Sequence, residues 1–131
     1  MLIIGHRGFP AAKKENTLES FQAALNCGAD GIELDVQITT DQKLAIYHDF
    51  EIYDNNEPRS IINLSLMEIQ SLCPSFTVPT LNEVCKIFTQ NKLLNIEIKS
   101  QHIQNHQIIK AVLETIKSHH LENNIIISSF N

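Results

Sequence analysis

Polar side chains of the kinds that catalyse reactions alternate with apolar ones in several segments of this sequence. Glu33 and Asp35 do so within the stretch Gly31–Val36. Such alternation is typical of a β-strand, and side chains two residues apart lie on the same face of a strand. Two carboxylates on one face of an apolar strand are costly to bury unless a cation meets them. We therefore predict that this face is either solvated or lies against a metal ion or a basic residue.

Further polar groups stand at the ends of other apolar segments. They are His6 and Arg7 after Leu2–Ile4, His48 and Asp49 after Leu44–Tyr47, and Glu97 and Lys99 within Leu94–Lys99. In parallel α/β folds, sites assemble where strands end at one rim of the sheet. Taken singly, each residue has a structural explanation: a loop histidine, a turn-capping aspartate, or a neutralising Glu97–Lys99 pair. Only the joint pattern favours a site.

The residue types in this set point to one chemistry. Carboxylate ligands alone suit Mg²⁺ or Ca²⁺ better than Zn²⁺, which prefers histidine and cysteine. Histidine is the residue type best suited to general acid and base roles near neutral pH, and His6 and His48 could form such a pair. Arg7 and Lys99 suit the oxygens of a phosphate. The set predicts metal-assisted cleavage of a phosphate ester.

Periodicity and capping signals predict the elements that position these residues. Asn16 with Glu19, Ser65 with Glu68 and Thr80 with Glu83 have the spacing of helix capping boxes. The predicted order is a strand at Leu2–Ile4, a helix from Asn16 to Gly28, strands at 32–36 and 44–47, an irregular stretch at 50–64, helices from Ser65 and Thr80, a strand at 94–99, a helix at about 104–119 and a strand at 125–130. This order indicates an α/β architecture with a largely parallel sheet.

The link between the strands at 32–36 and 44–47 is too short for a helical crossover. If it folds back as a hairpin with its turn at 40–43, Thr39 faces Leu44 and Asp35 faces His48. A short parallel return is the other possibility, and the local sequence does not decide between them.

Composition excludes several other classes of protein. Apolar residues make up 43% of the 131 residues, charged residues make up 19%, and the net charge is −5. This is ordinary for one globular domain and lacks the basic stripe of a nucleic-acid binder. No apolar run reaches the roughly 20 residues of a membrane span, and no signal-peptide core is visible. The three widely spaced cysteines are read as reduced core thiols. We expect a cytoplasmic protein.

Six motifs in order resemble the glycerophosphodiester phosphodiesterase family. They are His6-Arg7-Gly8, Glu15-Asn16-Thr17 with Ser20-Phe21, Gly31 to Val36, His48-Asp49, Asn95 to Lys99, and Ser128-Ser129-Phe130. The resemblance runs from Leu2 to the last residue. It implies a TIM-barrel hydrolase that cleaves glycerophosphodiesters into sn-glycerol 3-phosphate and an alcohol.

Carried over residue by residue, the resemblance assigns a role to each group. His6 and His48 would be the acid/base pair, and Arg7 and Lys99 would contact phosphate. Glu33, Asp35 and Glu97 would hold a divalent metal, Mg²⁺ or Ca²⁺. Lys14 and Gln42 replace a proline and a glycine that are usual in the family, and both changes should affect loop rigidity more than chemistry.

The resemblance covers only part of a barrel. A closed eight-stranded barrel takes roughly 250 residues, so residues 1–131 are expected to form its N-terminal portion, truncated to about the first five strands. The alternative is an inactive remnant, or one half of a split enzyme that needs a second chain. Open apolar edges would also allow self-association or a complementing C-terminal half. A related lyase of the phospholipase-D toxin type is disfavoured, since such proteins are secreted and disulfide-bonded.

Overall fold

A five-stranded sheet forms the centre of the protein in this computed structural model, which describes residues 1–88, 91–99 and 106–129. The strands in chain order are β1 (Ile4–His6), β2 (Gly31–Ile38), β3 (Leu44–Ile46), β4 (Glu51–Asp54), β5 (Glu57–Ser60), β6 (Leu93–Ile98) and β7 (Ile125–Ser128). Strands β1, β2, β6 and β7 are parallel and adjacent in that order. β4 and β5 form a separate hairpin. The predicted parallel α/β sheet is therefore observed, with four parallel strands and one antiparallel strand, β3.

The described residues form four α-helices: α1 (Leu18–Asn26), α2 (Leu66–Leu72), α3 (Leu81–Ile87) and α4 (His106–Ser118). The capping boxes predicted at Ser65 and Thr80 are both present at the starts of α2 and α3. The predicted start of the last helix at Gln104 lies outside the described residues, as does Phe130 at the end of the last strand. Ile108, Val112 and Ile116 of α4 are buried, whereas Ile109 and Leu113 are each 41% exposed, because the buried stripe follows the four-residue spacing alone.

The predicted cap of α1 is wrong by one residue. Thr17 is the N-cap, and its hydroxyl accepts a hydrogen bond from the Ser20 N–H. Asn16 is instead buried, with a left-handed φ of 56°, and its side chain bonds to Asp35. A contact with a residue 19 positions later has overridden the local capping pattern.

The first strand is also shifted from its prediction. β1 spans Ile4–His6 rather than Leu2–Ile4, and Leu2 and Ile3 are exposed rather than buried. The strand pairs with β2 from Ile4 opposite Gly31 to His6 opposite Glu33. An apolar run marks the neighbourhood of a strand, but the pairing partner decides which residues belong to it.

The two alternatives for the link between β2 and β3 are resolved in favour of a hairpin. Ile38 lies opposite Leu44 and Val36 lies opposite Ile46. This register is one residue away from the one expected for a turn at 40–43, so Tyr47, not His48, follows opposite Asp35. The Tyr47 N–H donates to the Asp35 carbonyl at 3.1 Å, and His48 lies just beyond the paired strand.

Two apolar cores lie on either side of β3. The larger one packs the apolar face of β2 and β6 against α1, α3 and α4, and includes Phe21, Leu34 and Ile96. The smaller one lies between residues 45 and 78 and includes Ile61 and Ile69. The stretch 50–64, predicted to be irregular, holds the β4–β5 hairpin, whose turn residues Asn55 and Asn56 have positive φ, as such hairpins require.

The three cysteines differ in burial. Cys73 and Cys85 are buried thiols, as predicted, whereas Cys27 is exposed. Burial raises the pKa of Cys85 to about 11. Among the described residues, every helix is too short or too polar to cross a bilayer.

Candidate active site

Three carboxylates from two neighbouring strands meet on the polar face of the sheet. Glu33 and Asp35 lie on β2, and parallel pairing places Asp35 directly opposite Glu97 on β6. One oxygen of each carboxylate lies within 4.8 Å of the others. We call these residues the acidic cluster. Glu33 is 6% exposed and Asp35 is 1% exposed, so the predicted common face is buried and faces basic residues.

Asp35 is held by partners on both of its carboxylate oxygens. The Asn16 side-chain amide donates to Oδ2 at 2.9 Å, and the Asp35 N–H donates to Asn16 Oδ1 at 3.4 Å. Arg7 Nε lies 3.3 Å from Oδ2, and Lys99 Nζ lies 3.9 Å from Oδ1. The Arg7 contact is an ion pair without an aligned hydrogen bond, since its Nε–H has no acceptor in the described part of the chain. Two cations and an amide thus compensate this buried charge.

Glu33 is less completely satisfied. Its Oε2 accepts a hydrogen bond of 2.9 Å from the Arg7 N–H. Its Oε1 is buried without a hydrogen-bond partner among the described residues. Burial raises the pKa of Glu33 above its ordinary value, and the nearby Asp35 and Glu97 carboxylates add to this, while the Arg7 N–H and His6 oppose it. A buried acceptor without a donor, next to two other carboxylates, is a chemical environment that fits a bound cation.

Lys99 borders the cluster beside Glu97. Its Nζ lies 3.3 Å from Glu97 Oε1 and 5.3 Å from the centre of the Phe50 ring. Its side chain is 14% exposed. The ring and the two carboxylates therefore confine the ammonium group to the rim of the acidic cluster.

The turn after β1 carries Arg7, which directly follows His6 at the end of the strand, and a helix residue holds this turn. The Ser20 hydroxyl of α1 donates to the Arg7 carbonyl at 3.1 Å and accepts from the Phe9 N–H at 2.8 Å. Gly8 has a φ of +91°, and a Cβ there would lie 2.4 Å from Ser20 Oγ. Only glycine fits this close approach. The turn thus fixes the backbone from which Arg7 reaches the cluster.

Glu15 orients Arg7. Both Glu15 carboxylate oxygens lie near Arg7 Nη1, at 3.2 and 3.3 Å. The guanidinium of Arg7 therefore spans from Glu15 to Asp35, with 20% of the side chain exposed. The contacts with Glu15 and Asp35 involve Nη1 and Nε, so other N–H donors of the guanidinium remain for an anionic ligand.

The two histidines have different neighbours. His6 Nε2 lies 3.9 Å from Glu33 Oε2, and the His6 side chain is 71% exposed. His48 is 31% exposed, and its Nδ1 lies 2.7 Å from Asp49 Oδ1. His48 also lines a small cleft together with Glu15 and Asn16. The Asp49 contact leaves Nε2 of His48 as the nitrogen available for proton transfer.

Sequence reasoning missed two amide side chains in this region. Asn16 was interpreted as a helix cap, and Gln37 was not singled out. Gln37 is 4% exposed and continues the polar face of Glu33 and Asp35 along β2. The two-residue alternation of Glu33, Asp35 and Gln37 was the available signal.

Comparison with known proteins identifies relatives that match nearly the whole of this chain. Residues 6–131 match the glycerophosphoryl diester phosphodiesterase family. A glycerophosphodiester phosphodiesterase from Caldanaerobacter subterraneus is 36% identical over 141 residues, which cover 99% of this chain and 58% of that protein. The chain thus spans little more than half the length of such relatives.

Solved structures show the same likeness. A glycerophosphodiester phosphodiesterase from Thermotoga maritima is 35% identical, with a TM-score of 0.82, and the match covers 100% of this chain and 55% of that one. A phosphodiesterase from Oleispira antarctica, solved in complex with the product sn-glycerol-3-phosphate, is 28% identical, with a TM-score of 0.84 and coverage of 100% and 58%. These neighbours are TIM-barrel proteins, so the predicted TIM-barrel-type fold is confirmed, with part of the barrel represented here.

Proposed function

The chain belongs to the glycerophosphoryl diester phosphodiesterase family, and we propose that it carries the catalytic groups of a hydrolase for glycerophosphodiesters. The products would be sn-glycerol 3-phosphate and an alcohol. The observation that carries this proposal is the convergence of Glu33, Asp35 and Glu97, with their oxygens within 4.8 Å of one another. Arg7 and Lys99 border the same cluster. The product named for the Oleispira antarctica structure supports the substrate class.

We propose that Glu33, Asp35 and Glu97 hold a divalent metal. The unpartnered Oε1 of Glu33 supports this assignment, because a cation would satisfy it. The ligands are all oxygen atoms, which suit Mg²⁺ and Ca²⁺ alike. When bound, such an ion supplies Lewis-acid stabilisation of the negative charge that grows on the phosphate in the transition state.

Arg7 and Lys99 are the proposed phosphate-binding residues. Both are fixed in place, Arg7 by Glu15 and Lys99 by Phe50. Arg7 offers a planar fork of donors and Lys99 offers a point charge. Together they would orient the phosphodiester against the acidic cluster.

His6 and His48 are the proposed acid/base pair. One would remove a proton from the nucleophile, and the other would protonate the leaving alcohol. The proposed nucleophile is the 2-hydroxyl of the substrate's own glycerol, which would give a cyclic phosphate that water then opens. An attached nucleophile gains a proximity advantage of about 7–11 kcal/mol in favourable cases.

We propose that β1 and β7 accept further strands in the active protein. In the described sheet each of them pairs on one side only, with β2 and β6 respectively. Ile126 and Ile127 of β7 are 49% and 42% exposed, and a parallel sheet is normally covered on both faces. The strands could come from further residues of the same polypeptide, from a complementing chain or from a second copy. Size-exclusion chromatography tests the last of these sources, because a stable monomer would argue against pairing between copies.

The central test is hydrolysis of glycerophosphocholine with and without EDTA. We expect activity to be lost on chelation and restored by Mg²⁺ or Ca²⁺. His48→Ala should abolish most activity, whereas the matched control His119→Ala should not, since His119 contacts Asn82 away from the acidic cluster. Turnover that persists in EDTA, or full activity of His48→Ala, would refute the proposal.

A further inference from the structure

Gln37 connects the strand of the acidic cluster to the segment that carries His48. Its Nε2 lies 2.8 Å from the Tyr47 carbonyl oxygen, 2.8 Å from the Asp49 carbonyl oxygen and 3.5 Å from the His48 carbonyl oxygen. Carbonyl oxygens only accept hydrogen bonds, so the side-chain atom that faces them must be the NH₂ group. Its two hydrogens match the two short contacts. The Gln37 amide therefore donates hydrogen bonds to the backbone carbonyl groups immediately before and after His48.

The hydrogen bonds of the Gln37 amide join the two segments where the backbone pairing of β2 with β3 ends. β3 stops at Ile46, and the Tyr47 N–H makes the last bond to β2, at the Asp35 carbonyl. Beyond Tyr47, the described hydrogen bonds between β2 and residues 48–49 run from the Gln37 side-chain amide to the backbone carbonyl oxygens of His48 and Asp49. Gln37 is 4% exposed, so water does not compete freely for its donors.

The same segment also carries Phe50, whose ring lies 5.3 Å from Lys99 Nζ. The place of residues 47–50 relative to β2 thus sets two distances at once. One is from the His48 ring to the acidic cluster, and the other is from Phe50 to the lysine beside Glu97. The Gln37 amide contributes to both, because it is rooted two residues after Asp35 on the same strand face. The Phe50 carbonyl is also held, by a hydrogen bond of 2.9 Å from the Ile61 N–H.

We propose that Gln37 is a positioning residue that fixes His48, and the segment 47–50 around it, relative to the acidic cluster. This inference rests on the proposed role of His48 in catalysis. Gln37 touches neither substrate nor metal in this assignment and acts through the backbone of its neighbour. A misplacement of about 1 Å at a reacting group is enough to lower a rate by about 100-fold.

A purely structural role predicts something different. If Gln37 only satisfied buried carbonyl groups, its loss would lower the stability of the whole protein, and the remaining folded molecules would keep their turnover number. A positioning role predicts a lower kcat with unchanged metal affinity and a local gain of mobility at residues 47–50.

The test compares Gln37→Met with the wild-type protein and with Gln22→Met. Methionine keeps the length of glutamine and removes both donors, and Gln22 is an exposed residue of α1 whose amide bonds only to Asn26 among the described contacts. We expect Gln37→Met to lower kcat by about 10- to 100-fold, with KM and the affinity for Mg²⁺ within about threefold of the wild-type values. Gln22→Met should change none of these. Gln37→Asn, whose shorter side chain keeps the amide but withdraws it from the same carbonyl groups, is the second variant if Gln37→Met does not fold.

An activity-independent measurement decides the inference by itself. Backbone ¹⁵N order parameters at 47–50 should fall from the rigid range near about 0.85 towards the flexible range below about 0.6 in Gln37→Met, but not in Gln22→Met. A wild-type protein without hydrolase activity would end the proposed function and leave this measurement intact. Unchanged order parameters, or an equal loss of kcat in the wild-type and His48→Ala backgrounds, would overturn the role of Gln37, because two residues that act as one unit are not additive.

Discussion

The acidic cluster and the two histidines are the proposed catalytic groups, but the structure holds them in different ways. Asp35 is 1% exposed and Glu33 is 6% exposed. The side chains of His6 and His48 are 71% and 31% exposed. The carboxylates lie within paired strands, whereas the histidines lie at the end of a short strand and in the segment after β3.

This difference matches the work that each part is proposed to do. Fixed charges act most strongly where water is excluded, and strand pairing fixes their spacing before any ligand binds. Proton-transfer groups must exchange protons with solvent, so exposure suits them. The comparison predicts that substitutions in the buried part change stability, metal binding and activity together, whereas substitutions of the histidines change activity alone.

Removal of a histidine should have the largest effect on rate. We expect His6→Ala and His48→Ala each to lower kcat by about 10²- to 10⁴-fold, the usual contribution of a general acid or base. Both side chains are exposed or partly exposed, so the free energy of unfolding should change by less than about 0.5 kcal/mol. Steady-state kinetics and urea denaturation of the same samples check both halves of this prediction. A histidine variant that loses stability in proportion to activity would contradict the comparison.

Removal of Asp35 should have the largest effect on stability. Asp35→Ala leaves Arg7 and Lys99 without a shared counter-ion and leaves the buried Asn16 amide without its acceptor. Breaking a buried pair from one side costs about 3–5 kcal/mol, and we expect the lower end because Arg7 and Lys99 are partly exposed. Urea denaturation of the metal-free protein measures this. The exposed Asp54, paired with Arg59 at 3.5 Å, provides the control, since Asp54→Ala should cost less than about 1 kcal/mol.

Loss of the Asn16 amide should have an intermediate effect. Asn16→Gly keeps the left-handed backbone, at a φ of 56°, and removes both contacts with Asp35. Partners of metal ligands typically contribute about 10- to 100-fold to affinity, so we expect Mg²⁺ or Ca²⁺ affinity to fall by that factor. Isothermal titration calorimetry measures it, with Asn26→Gly on the surface of α1 as a control. Unchanged affinity would show that Asp35 needs no amide to hold its orientation.

Local patterns in the sequence predicted the strand that carries Glu33 and Asp35, and the starts of α2 and α3. Alternation placed Glu33 and Asp35 on one face, and the spacing of Ser65 with Glu68 and of Thr80 with Glu83 predicted two helix starts that the structure has. Such signals are short-range, because a cap or a strand face is decided within a few residues. The joint placement of polar groups at strand ends associated Glu97 with the β2 carboxylates, and the family resemblance implied that the three hold one metal.

The errors that affect the site involve contacts that the local residue pattern does not encode. Asn16 has the spacing of a cap but is bound by Asp35, and the β2–β3 register differs by one residue from the expected turn. Gln37 was missed because its partners, the carbonyl groups around His48, lie on a segment whose position depends on that register. A one-residue shift in pairing reverses which side chains face the partner, so sequence alone could not place His48 relative to the acidic cluster.

The smallest predicted effect concerns Tyr47, which precedes His48 and packs against the smaller core. Burial, aided by the neighbouring Cys73 and Asp49, raises the pKa of Tyr47 from its ordinary value of 10 to about 12. The folded state therefore favours the neutral phenol, so the stabilisation that Tyr47 provides is complete below pH 10 and is lost as the pH rises towards about 12. An absorbance titration of tyrosinate should show a late step that is absent in Tyr47→Phe and present in Tyr53→Phe. If the late step survives in Tyr47→Phe, the step does not belong to Tyr47, and the buried environment of its phenol would be contradicted.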